Sequence, residues 1–277
     1  MSAAVKKVLS IPRSVTIYRQ ERSAVPDVSA VCAFLKTFAP WLEITVKDSP
    51  LVSITDEPKQ KLLAERFARA RIVNPEKFTL NEKPLPADFQ FEMRLLRSSS
   101  CAFSCALYSG LEMIEILRNI LPREEWSDFS RINVVFTDRV VATRESDGRA
   151  HIRYAVFGVP VIVSVAGMVS GPAKPREYYL TRNAISAASG PALAAAYARK
   201  MLEREFLLAD DPRLTAVAYN IVAQALFFYL AGNPFCERKS CILFNAHTQA
   251  DLLRRRRGLC RECQSFLARV RKEACAL

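Results

Sequence analysis

The spacing of apolar and polar positions changes period along the chain, and each change predicts an element. Val15-Thr-Ile-Tyr18 is β-branched and aromatic and reads as a strand; Leu42-Glu-Ile-Thr-Val-Lys47 alternates as a half-buried strand does. Between them Val31, Phe34, Leu35 and Phe38 share a helical face, with Asp27 or Ser29 as cap and Pro40 near the end. Glu57 to Ile72 predicts a second helix with Leu62, Leu63, Phe67 and Ala70 inward. Residues 73–100 carry Pro75, Pro84 and Pro86 among scattered charges and read as an extended connection.

A helix is expected near Leu107 to Leu121, with Leu111, Ile114, Ile116 and Leu117 on its apolar face. Strands follow at Ile132 to Phe136, Ile152 to Phe157 and Val159 to Val169, with Asp147-Gly148 as a hairpin turn between the first two. The remainder is helical: Pro191 to Leu207, Arg213 to Ala231, Thr248 to Arg257 and Arg261 to Ala274. Arg213 to Ala231 is apolar almost all round, which places it at the centre of the fold, and Gly232-Asn233-Pro234 stops it. Thr248 with Asp251 resembles a capping box, and Gly258 suits a C-terminal cap. The element order predicts an α/β fold: a mixed β-sheet with packed helices and a helical C-terminal half. One domain over residues 1–277 is expected, with possible subdomains at 1–182 and 183–277.

Composition narrows this picture. The chain has 277 residues, half of them hydrophobic and a quarter charged, which excludes wholesale disorder. No run of about 18 uninterrupted apolar residues exists, so no membrane span is expected. The first twenty residues carry four basic side chains and no acidic one, but the strand at Val15 argues against a transit peptide. Twelve lysines against 28 arginines make much of the +12 net charge permanent. Asparagine and glutamine total 14, a lean toward a thermophile. Two histidines, His151 and His247, exclude any site needing three histidine ligands from this chain alone.

The eight cysteines carry the clearest chemistry. Cys236-x4-Cys241 and Cys260-x2-Cys263 are separated by 18 residues, enough for a loop and a short helix that bring four sulfurs to one tetrahedral zinc. Such a site has no open position and is structural, and it points to a reducing cytoplasm. Reduced core cysteines without metal are the alternative. Arg238, Lys239, Arg261 and the run Arg254, Arg255, Arg256, Arg257 flank the ligands and would offset the negative charge of four thiolates on one Zn²⁺. His247 could replace one cysteine, though an exposed or supporting role suits it better. Cys101 and Cys105 could form a redox pair or a second metal site but read as buried thiols; Cys32 and Cys275 read as core and tail.

The Cys236-x4-Cys241-Ile-Leu243 and Cys260-Arg-Glu-Cys263 segments resemble the archaemetzincins, zinc peptidases of the metzincin group. Phe136-Thr-Asp-Arg139, Gly171-Pro-Ala-Lys-Pro-Arg-Glu-Tyr-Tyr179 and Phe244-Asn-Ala-His247 are similar to a related archaeal family of metallopeptidases; together the resemblance covers about residues 130–265. It implies a metzincin-like fold holding a zinc ion on four cysteines. In these peptidases His-Glu-x-x-His-x-x-Gly-x-x-His leads directly into the first cysteine pair. Gly232 matches the motif glycine, but the zinc histidines fall at Ala225, Tyr229 and Phe235, the general base at Leu226 and the methionine of the turn at Leu243. None of these side chains can hold a catalytic zinc or activate its water.

The resemblance therefore implies an inactive peptidase homologue that acts by binding a protein or peptide, in an ancestral cleft beside the edge strand. A second reading is a nucleic-acid-binding zinc protein: from Asn233 onward ten basic residues face four acidic ones, and Arg254 to Arg257 could clamp phosphates. A third is a hydrolase with a relocated active site among Asp138, Arg139, Arg144 and His151.

Overall fold

A computed structural model describes residues 7–98, 106–202, 204–254 and 258–276. In chain order, β1 (Ser14–Tyr18), α1 (Val28–Phe38), β2 (Glu43–Lys47) and α2 (Glu57–Ala70) form the predicted opening. Asp27 caps α1 by accepting from the Ser29 and Ala30 amides. In α2 the inward face carries Leu63, Ala64 and Phe67, whereas Leu62 lies on the outer face and is 53% exposed.

Residues 73–100 are more structured than an extended connection. A small hairpin, β3 (Ile72–Asn74) with β4 (Thr79–Leu80), is followed by α3 (Pro86–Arg97). The prolines do not prevent a helix here, because Pro86 occupies its first turn, where a missing N–H costs nothing. Asp88 reaches back to accept the Leu85 amide at 2.9 Å. Next come β5 (Leu107–Ser109), α4 (Gly110–Ile120) and α5 (Arg123–Trp126). Ser109 caps α4, so the expected helix starts later than Leu107. Leu111 is 68% exposed; Met113, Ile114, Ile116 and Leu117 make the buried face.

The central strand β6 (Arg131–Thr137) is followed by β7 (Val140–Arg144), β8 (Ala150–Arg153), β9 (Ala155–Val156) and β10 (Val161–Ser164). The Asp147-Gly148 turn therefore joins β7 to β8 rather than to β6, with Gly148 at φ 81°. The apolar run Val159–Val169 is not one strand. Ser164 accepts the Gly167 amide at 2.8 Å and turns the chain into α6 (Val165–Ser170). The rest comprises α7 (Arg176–Ser189), α8 (Pro191–Leu202), α9 (Arg213–Ala231), α10 (Gln249–Leu253) and α11 (Arg261–Ala274). Three helical expectations change: α7 is an additional helix, α8 stops before Leu207, and α10 is shorter than Thr248 to Arg257.

The main sheet runs β2-β1-β6-β10-β9, parallel except for the antiparallel edge strand β9. A second sheet pairs β5-β7-β8. Both faces of the main sheet are covered, so its central strands are mostly apolar. Ile132, Val134 and Phe136 of β6, with Val161 and Val163 of β10, pack toward α1, α9 and α11. Val135 and Ile162 face α2 and α4 with Phe67, Met113 and Leu117. Helix α9 is the one described helix long and apolar enough to cross a membrane, and 67% of its most apolar 18-residue stretch is buried inside the protein. It ends at Gly232, in the left-handed conformation at φ 70°, whose amide donates to Phe228 O at 2.8 Å.

Candidate metal centre

Downstream of α9 the chain folds into a short loop stitched by backbone bonds. Asn233 Oδ1 accepts the Phe235 amide at 2.9 Å, Cys236 N donates to Leu243 O at 2.9 Å, and Cys241 N donates to Arg238 O at 2.9 Å. Ile242 N donates to Gly258 O at 3.0 Å, which pins the two halves of the cysteine motif together. Gly258 stands at φ 152° in this junction, rather than capping a helix. Cys260 is the N-cap of α11 and Cys263 lies in its first turn, where the helix N-terminus favours thiolate.

The four predicted sulfurs converge. All lie within 4.8 Å of one another, and Cys236 Sγ and Cys260 Sγ are 3.8 Å apart. A tetrahedron with Zn–S bonds of about 2.3 Å has S···S edges of roughly 3.8 Å, so the cluster has the size of a zinc site. Cys241 and Cys263 are buried, Cys236 and Cys260 half-buried. Backbone amides already point at the sulfurs: Arg238 at Cys236, and Leu243 and Cys260 at Cys241, the last at 3.4 Å. The Cys263 thiol hydrogen-bonds to Cys241, which draws Cys241 down to about 5 and pushes Cys263 well above the ordinary thiol range. Burial pushes Cys236 up to about 11. Thiolates this close repel one another, and a divalent cation is what lets all four ionise together. The residues therefore fit a metal.

The flanking cations are placed less uniformly than the sequence suggested. Arg238 pairs with Glu262 on α11, and its charge also acts on Cys260 and Cys236. Arg254 is exposed; Arg255, Arg256 and Arg257 lie outside the described residues, as do Cys101 and Cys105. His247 is exposed and its carbonyl accepts the Ala173 amide; among the described residues, the group able to hold a metal contains cysteines alone.

One helix upstream, the α9 positions to which the sequence resemblance assigns peptidase ligands lie in the core. Ala225 and Leu226 are each 1% exposed and Tyr229 is 5% exposed. The Tyr229 hydroxyl is buried, and burial raises its pKa to about 12 against the opposing pull of the Asn133 backbone. Phe235 meets Phe157, just past edge strand β9, edge-on at 5.4 Å between ring centroids; Phe228 packs on the same ring at 6.0 Å. Leu243, where the resemblance places the turn methionine, is fully buried.

The structure does not assemble Asp138, Arg139, Arg144 and His151. Arg144 and His151 are exposed on the β7–β8 hairpin, His151 beside Asp147 at 3.2 Å. Asp138 and Arg139 are buried elsewhere, past the C-terminal end of β6. Arg139 Nη1 bonds Glu92 Oε2 and Tyr108 Oη, each at 2.7 Å, and its guanidinium lies 3.8 Å from the centre of the Phe67 ring. Asp138 accepts from the Arg22 amide at 2.8 Å and binds Ser23. Glu21 accepts from Thr137 Oγ1 at 2.7 Å and the Asp138 amide at 2.6 Å; burial, then the nearby Asp138 carboxylate, raises its pKa. This network joins the loops after β1 and β6, and its hydrogen bonds are spent internally. Sequence reasoning missed Glu92 because prolines masked its helix; Glu21 and Tyr108 carry no local signal.

Residues 11–270 match the sequence profile described as "Probable metallopeptidase family (DUF6775)". No curated protein matches the chain. Among solved structures the chain is similar to the crystal structure of archaemetzincin from Methanopyrus kandleri, at 12% identity and a TM-score of 0.45, over 94% of this chain and 96% of that one. The profile spans nearly the whole sequence, and on that ground the chain belongs to this probable metallopeptidase family.

Proposed function

We propose that this protein is a catalytically silent, zinc-stabilised member of its family that acts by binding a protein or peptide. The observation that carries the reading is the packing of α9. Where a zinc peptidase needs two imidazoles and a carboxylate around an open coordination position, this helix buries Ala225, Leu226 and Tyr229 in apolar surroundings. Phe157, Phe228 and Phe235 fill the adjoining edge of the sheet with tilted and edge-to-face rings. Cys236, Cys241, Cys260 and Cys263 would hold one zinc ion. Bound there, zinc supplies folding free energy and no open site for water. Its ligands require reduced thiols, in keeping with a reducing cytoplasm.

The chain's own residues support this division of labour. The Leu243, Arg238 and Cys260 amides orient the sulfurs, and α9 supplies the floor on which the cysteine loop rests through Gln224 Nε2, which donates to Phe244 O at 3.1 Å. The test is metal analysis of the purified full chain together with a peptidase screen. One zinc per chain, lost in Cys241→Ser with Cys263→Ser, and no peptide hydrolysis above a chelator control is the expected result. Hydrolysis that survives purification, is abolished by chelation and falls in a point variant would overturn the assignment.

A further inference from the structure

A long groove lies between α1, the N-terminal half of α9, the cysteine loop and α11, with a volume of about 1320 Å³. It is separate from Ala225, Leu226 and Tyr229, which sit further along α9. Its floor is apolar: Phe34 and Phe38 of α1, Tyr219 of α9, Leu253 of α10 and Leu267 of α11. Its charged lining has one sign. Arg213, Arg254, Arg271 and Lys272 border it, and among the described residues no Asp or Glu does. Arg213 is committed to Asp211, so the outer cations are Arg254, Arg271 and Lys272, all exposed. Arg271 Nη2 reaches Phe38 O at 3.4 Å and bridges the ends of α11 and α1.

We infer that this groove docks an acidic amphipathic helix of a partner protein. Three features select that occupant. The groove exceeds the roughly 300–1,000 Å³ that encloses a small ligand, and its walls are helices that leave a trough between them. An apolar floor with a cationic border matches a helix with leucine-like anchors on one face and carboxylates on the other. The aromatic rings stack on one another, Phe34 on Phe38 at 5.2 Å and on Tyr219 at 4.9 Å, with interplanar angles of 22° and 12°, so part of their π-surface is taken up within the protein. The rest of the floor is aliphatic. Nucleic-acid bases need free aromatic faces, so the lining favours a peptide over a single strand.

The inference holds whether or not the chain hydrolyses peptides, and its test reads binding alone. The zinc-loaded full chain is titrated against a fluorescein-labelled peptide of about 18 residues, leucine on one helical face and glutamate on the other. Controls are a shuffled peptide of the same composition and a single-stranded DNA of about 20 nucleotides. The amphipathic peptide should bind, and the shuffled one about tenfold or more weakly. The double variant Arg254→Glu, Lys272→Glu, which leaves the Arg271 bridge in place, should lose about tenfold in affinity with an unchanged unfolding midpoint. Ala216→Trp, an exposed groove position, should block binding by filling the trough. Equal binding of the shuffled peptide, or no effect of these variants, overturns the proposal. Tighter binding of the DNA, lost in the same variants, also overturns it and assigns the groove to nucleic acid.

Discussion

Arg139→Met separates a structural reading of the buried polar network from a catalytic one. Methionine keeps an apolar stem against Phe67 but removes the guanidinium. Glu92, fully buried, then keeps the Tyr108 hydroxyl, which donates to it at 2.8 Å, but loses its countercharge. Breaking a buried ion pair from one side costs about 3–5 kcal/mol, because the surviving charge stays desolvated. That is a large share of the roughly 5–15 kcal/mol that holds a typical domain folded. Adding Glu92→Gln removes the stranded charge while keeping an acceptor for Tyr108, so the double variant should recover about 2 kcal/mol or more. Urea unfolding of the zinc-loaded parent, both single variants and the double variant gives the coupling directly. A cost below about 1 kcal/mol for Arg139→Met, or a double variant as unstable as the two singles added, refutes the argument. A catalytic arginine would show the opposite pattern, with activity lost and stability kept.

Three further outcomes follow from the geometry. Chelation of zinc should unfold the cysteine loop and the start of α11, seen as lost helical circular dichroism and faster proteolysis after Gly232; an unchanged digestion pattern would detach the metal from folding. The raised pKa of Glu21 contributes stability that is full below the ordinary carboxylate range and is lost as pH rises through the folded value. Glu21→Gln lacks that dependence, so it should gain on the parent as pH rises above the ordinary carboxylate range, read as urea midpoints; a parent that gains instead contradicts the burial argument. A Cβ at Gly167 would stand 2.1 Å from Arg153 O, so Gly167→Ala should destabilise by about 1–3 kcal/mol, measured by thermal unfolding; a neutral substitution would mean β8 yields freely.

Some of this protein is legible one segment at a time. The bounds of α9 and α11 match their predicted ranges because the apolar run, Gly232 and the cysteines that punctuate them are local signals. The cysteine spacing names all four sulfurs that converge. The misreadings have local causes as well: Pro86 begins a helix where prolines suggest none, and Ser164 caps α6 inside a run that looks like one strand. Hydrophobicity alone places Leu62 and Leu111 inward, while their helices turn other faces to the core.

By itself the sequence determined the four-cysteine cluster and the apolar character of α9, since cysteine spacing and helical period are written within a few dozen neighbouring residues. Tertiary structure alone decided that Arg139 meets Glu92 from 47 residues away and that Glu21 meets Asp138 across the ends of β1 and β6. It also decided that α1, α9 and α11 leave a cation-bordered trough between them. Those outcomes depend on which strands pair and which helix faces are left over, and no stretch of local sequence encodes that choice.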